Sequence, residues 1–156
     1  MLQRSLFLRT ALAGAMLSLA AGCGSMGSMM SSMSPGTDTY EATLSGAQEV
    51  PPTTSAGTGK AEVQVDTKTY KVKWKVTHSG LSGPARAGHI HGPAAAGANA
   101  GITVPFTGDM NAQPITGEAT LTPAQYADLA AGLYYVNLHT AQSPAGEIRG
   151  QLKKRM

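Results

Sequence analysis

From Tyr40 onward, apolar residues fall mostly on every second position, the spacing of strands that bury one face. The clearest run is "TYKVKWKVTH" (69–78), with Tyr70, Val72, Trp74 and Val76 on one side and Lys71, Lys73 and Lys75 on the other. "KAEVQVD" (60–66) sets Ala61, Val63 and Val65 on one face, and "VDTKTY" between these runs predicts a tight hairpin. "YEATLSG" alternates weakly; "GHIH", "GITVPF" (101–106), "GEATLT" (117–122), "LYYVNLHT" (133–140) and "EIRGQLK" (147–153) supply further short strands. One helix interrupts them near residues 123–131. Thr122 can cap it, Pro123 suits the first helical position, Gln125 lies three past the cap and Gly132 can end it. Short strands, Gly-rich turns and one helix predict an all-β fold, an antiparallel Greek-key sandwich or barrel.

The same alternation assigns directions to the polar residues. With Ile90 inward, His89 and His91 share the outer face. With Tyr134, Val136 and Leu138 inward, Asn137 and His139 point out. With Ile148 and Leu152 inward, Glu147, Arg149 and Gln151 point out. If these strands are neighbours, His89, His91, His139, Glu147 and Arg149 gather on one outer wall. His78 ends the Tyr70–Val76 face and reads as a half-buried or turn histidine.

A histidine pair two apart on a strand holds both imidazoles on one side, within reach of one ion. A third histidine from another strand completes three nitrogen donors with an open position, a set that suits copper, with zinc the other choice. The bland reading is three histidines facing solvent. Glu49, in "GAQEVPP", can accept hydrogen bonds from Arg149 as a lock between the first and last segments, or can orient a histidine. Glu147 and Arg149, two apart, read as a surface ion pair. No Gly-x-Ser-x-Gly elbow and no phosphate loop is present; "GTGKAE" (57–62) lacks the spacing.

Residues 1–22 read as a signal peptide: Arg4 and Arg9, then the short apolar "TALAGAMLSLAAG", too short to span a membrane as a mature helix. The stretch "LAAGC" resembles the lipobox of bacterial lipoproteins, which implies that Cys23 becomes the N-terminus and carries lipid. Cys23 is the only cysteine, so no disulfide staples the domain. Residues 23–38 form a Gly/Ser/Met-rich tether ahead of a domain over 39–153. Met26, Met29, Met30 and Met33 are soft thioether donors suited to Cu(I), or simply part of a biased spacer. The expectation is a chain held on the periplasmic face of the cell envelope, at the outer membrane since Gly24 follows the cysteine. Charge adds an exclusion. Without residues 1–22, ten basic residues face nine acidic ones, about +1 net, which is no footprint for nucleic acid.

Four blocks, "LSGAQEVPP" (44–52), "HIHGPA" (89–94), "YYVNLHT" (134–140) and "GEIRGQL" (146–152), resemble the chordin-type or CHRD domain, in that family's order. The resemblance implies an extracytoplasmic β-domain. A looser one is to the Cu,Zn superoxide dismutases. It matches His89 and His91 to the copper-binding pair, His139 to a later ligand and Arg149 to the arginine that guides the anion. The zinc loop, the disulfide and the long electrostatic loop have no counterpart, so this similarity implies a mononuclear copper site more than dismutase activity. Two functions are therefore expected to compete. One is a copper-binding exported lipoprotein for holding, transfer or superoxide-type chemistry; the other is a metal-free protein-interaction module.

Overall fold

The computed structural model of the protein describes residues 36–156. The signal peptide, Cys23 and nearly all of the tether lie outside the described residues. Nine strands follow: β1 (Thr37–Ser45), β2 (Thr58–Asp66), β3 (Lys71–Ser79), β4 (Ala85–His91), β5 (Ile102–Pro105), β6 (Ile115–Thr120), β7 (Tyr135–Thr140), β8 (Ile148–Gln151) and β9 (Lys153–Lys154). Helix α1 (Pro123–Ala130) precedes β7, and a 3-10 turn (Gly46–Gln48) follows β1. No helix among the described residues is long and apolar enough to cross a membrane.

The strands pair antiparallel in the order β5-β4-β7-β8-β1-β2-β3-β6, with β9 also on β1, as a nearly closed barrel. Every run of alternating residues became a strand because its apolar half had a common interior to fill. Leu44, Val63, Val65, Val72, Val76, Ile90, Val136, Leu138, Ile148 and Leu152 are all buried there. Trp74 of β3 stacks on Phe106, just past β5, with ring centroids 4.8 Å apart, so the core joins the two halves of the strand order. Helix α1 has the expected capping box: the Thr122 hydroxyl accepts from the Gln125 amide and the Gln125 side chain accepts from the Thr122 amide. Gly132 ends it at φ +76°.

One boundary moves. Tyr70 was expected in the strand face with Val72, but β3 starts at Lys71. The Asp66 carboxylate accepts from the amides of Lys68 and Thr69 and closes the hairpin early, leaving Tyr70 in the turn at φ +56°.

Candidate metal centre

The site lies on the outer wall formed by β4, β7 and β8. Register brings its residues together in rows: His89 lies opposite Asn137, which lies opposite Arg149; His91 lies opposite Tyr135, which lies opposite Gln151; His139 lies opposite Ala87. The chain separation of 50 residues between His89 and His139 thus vanishes in the sheet. Nδ1 of His89 is 2.9 Å from Nε2 of His139, and one ring nitrogen from each of His89, His91 and His139 lies within 4.8 Å of the others. Ring centroids are 4.8 Å apart for His89 and His139, 5.2 Å for His89 and His91, and 6.3 Å for His91 and His139. Donors sharing an ion with bonds near 2.0–2.1 Å stand at most about 4.1 Å apart, so the rings need close by less than about an ångström.

The surroundings decide which nitrogens are free. Nδ1 of His91 donates to the Ala100 carbonyl at 3.0 Å, and Nδ1 of His139 donates to the Pro144 carbonyl at 3.0 Å. Each Nε2 then carries a lone pair, and that of His91 is buried with no partner. A backbone acceptor fixing the tautomer in this way is the usual support of a ligating histidine. Burial first, then the neighbouring His139 and His91, pushes the His89 imidazole down to about 4; burial likewise lowers His139, against the bond to Pro144. At neutral pH these rings are uncharged, the form that binds metals.

Strand alternation grouped His89, His91, Asn137, His139 and Arg149 on this wall, but the wall is not open to solvent, and Glu147, just ahead of β8, bonds Thr140, in phase with the inward Leu138. His91 is 8% exposed, Asn137 3%, Glu147 0% and Arg149 1%. Two loops roof it, residues 46–57 and 92–101, and the Asn99 side chain ties them together by donating to the Val50 carbonyl at 2.9 Å.

Arg149 fastens the second loop. Its terminal nitrogens donate to the Ala98 carbonyl at 2.7 Å and to Asn99 Oδ1 at 3.0 Å, and its guanidinium stacks on Tyr135. The expected lock with Glu49 is absent: no ion pair joins them among the described residues, because the loop takes both nitrogens. Arg149 is buried and both terminal nitrogens are engaged by the loop.

The surface pair expected of Glu147 and Arg149 is absent for a related reason. Glu147 is fully buried and takes bonds from Ser55, from the Ser82 hydroxyl and amide, and from Thr140, at 2.5–2.7 Å. Burial pushes its carboxyl up, but these four bonds outweigh that and hold it at about 2. It anchors loops and does not touch the histidines.

Glu49 is also buried. Burial raises its carboxyl to about 7, against the Arg149 charge and bonds from the Val50 amide and the Asn137 side chain. Its Oε1 is buried without a hydrogen-bond partner and lies over Gly146. His78 stays apart from the cluster, half-buried and bonded to the Met110 carbonyl.

The sequence singled out the three histidines but neither Asn137 nor Tyr135 as parts of the site. Asn137 Oδ1 lies 3.0 Å from His139 Nε2, and Tyr135 stacks on His91 at 4.9 Å and 2°. Their placement in the same outward set as His139 or in the row of His91 was the available signal. The CHRD domain profile matches residues 40–152, the whole barrel and all three histidines.

The chain belongs to the CHRD domain family.

No curated protein and no solved structure matches it. The two roof loops of this CHRD domain begin inside the "LSGAQEVPP" and "HIHGPA" blocks, so the residues that carry the family likeness are largely those that build and cover the wall.

Proposed function

We propose that this CHRD domain binds one copper ion through His89, His91 and His139 and serves as a copper-holding or copper-transfer lipoprotein of the cell envelope. The observation that carries the reading is the convergence of three ring nitrogens within 4.8 Å, two of them facing away from a backbone acceptor on the opposite nitrogen. Imidazole suits copper and zinc, and divalent copper binds such donors more tightly than zinc does. The leader ending "LAAGC" supports export and anchoring through lipid on Cys23, on the periplasmic side and at the outer membrane. Holding or transfer is favoured over superoxide chemistry, because Arg149 is spent on the roof loop.

The test compares the metal-free protein with its His89→Ala/His91→Ala variant after dialysis against copper or zinc. One copper per wild-type chain and none in the variant is the expected result. Copper in the wild type no higher than in the variant overturns the reading, and leaves a metal-free interaction module in its place. A Cys23→Ser change, expected to release the protein from the membrane fraction, tests the anchor.

A further inference from the structure

We infer that Asn137 is a fourth donor to the bound ion, its amide oxygen turned toward the histidines by Glu49. The inference rests on the metal reading above and adds a residue, an oxidation state and an orienting group to it.

Asn137 stands two residues before His139 on the same face of β7 and directly opposite His89. Its Oδ1 lies 3.0 Å from His139 Nε2, the nitrogen that also meets His89 Nδ1 at 2.9 Å. Two donors 3.0 Å apart subtend about 94° at an ion roughly 2.05 Å from each, an angle ordinary for a metal centre. The far side of the amide faces Glu49. A Cβ built on Gly146 would lie 2.5 Å from Glu49 Oε1 and 2.9 Å from Asn137 Nδ2, so both groups border that glycine. The nitrogen end of the Asn137 amide thus lies on the Glu49 side and the oxygen end on the His139 side, the orientation an acidic neighbour favours.

Counting protons shows why a cation belongs there. His139 has one N–H when neutral, and the Pro144 carbonyl takes it. Its Nε2 lone pair then faces the Asn137 oxygen, another acceptor. His91 donates its Nδ1–H to the Ala100 carbonyl, and its Nε2 has no partner. Three acceptors therefore converge, and His89 can offer one proton among them. Buried acceptors without donors are costly, and a cation removes the mismatch at once. Three imidazole nitrogens with one amide oxygen form a harder set than three nitrogens alone, which favours Cu(II) or zinc over Cu(I).

The experiment loads wild type, Asn137→Leu and Asn137→Asp with copper. It measures Cu(II) and Cu(I) affinity by chelator competition and records the Cu(II) electron paramagnetic resonance spectrum. Leucine keeps the bulk and removes the oxygen. It is expected to weaken Cu(II) binding about tenfold to a hundredfold, to shift the spectrum and to leave Cu(I) affinity nearly unchanged. Aspartate retains an oxygen and is expected to bind Cu(II) at least as tightly as wild type; this variant decides the matter should the leucine variant fail to fold. Unchanged Cu(II) affinity and spectrum in Asn137→Leu, or a tenfold loss in Asn137→Asp, overturns the Asn137 donor while the three-histidine reading stands. A wild type that takes up no ion overturns both.

Discussion

The guanidinium carbon of Arg149 lies 3.4 Å above the centre of the Tyr135 ring. Tyr135 sits in the register row between His91 on β4 and Gln151 on β8, and His91 stacks on it from the β4 side. The Tyr135 hydroxyl accepts from the Ala100 amide at 3.2 Å, and the Ala100 carbonyl accepts from His91. Arg149 grips the residues just before, Ala98 and Asn99. Wall and roof are thus one unit, and the orientation of His91 depends on the loop that Arg149 holds.

Arg149→Lys is therefore expected to loosen the roof. Lysine cannot stack as a plane while donating to two acceptors in a fixed fork. The Ala98 carbonyl loses a charged donor, and the loop loses a tie to the wall. Hydrogen exchange should quicken over 92–101 more than in β1–β3. Equal protection of that loop in the two proteins would refute the clamp.

Glu147 makes a pH-dependent contribution whose sign is fixed. Its carboxyl is at about 2 in the folded protein and near its ordinary 4.5 when unfolded. The stabilisation is fully present above pH 4.5 and is lost as pH falls from 4.5 toward 2; its size is about 3 kcal/mol. Glu147→Gln should cost about 2–3 kcal/mol at pH 7 in denaturant unfolding, and the gap to wild type should narrow below pH 4. A gap that is constant between pH 7 and pH 3 would show that Glu147 acts by shape alone.

Period-two alternation made the fold and the histidine cluster legible, since it reports which side of a sheet each residue takes. His89, His91 and His139 could be grouped on one wall before their distances were known. Alternation does not report what lies on top of that wall. Arg149 and Glu147 were expected at the surface because charged residues usually are, yet loops 46–57 and 92–101 cover them. The second loop has no charged residue and is built mainly of Ala and Gly, a composition suited to packing flat against a sheet, which was the readable sign of the roof. The partners of Glu49 and Glu147 depended on where the loops land, a tertiary outcome that spacing along the chain does not encode.

Gly146 tests how closely the groups beside the three histidines are packed. It adopts φ +136°, and an added Cβ would lie 2.5 Å from Glu49 Oε1 and 2.8 Å from its carboxyl carbon. Gly146→Ala should lower stability by about 1–3 kcal/mol and displace the Glu49 carboxyl. Gly83→Ala is the control, since a Cβ there meets nothing within 4 Å. Comparable melting temperatures for the two variants would contradict the contact between Glu49 and the β7–β8 turn.

Copper should act on the folded domain as a stabilising ligand. The donors come from β4 and β7, which are remote in the chain and adjacent in the sheet, so the unfolded chain holds no matching site. With free copper at a thousand times Kd, binding adds about 4 kcal/mol, roughly 10–20 °C in melting temperature for a domain of this size. His139→Ala removes the nitrogen that meets both His89 and Asn137 and should abolish the shift. His78→Ala, whose ring bonds the Met110 carbonyl away from the cluster, should keep it. A shift of equal size in the wild type and in His139→Ala would mean that copper stabilises the protein from somewhere other than this wall.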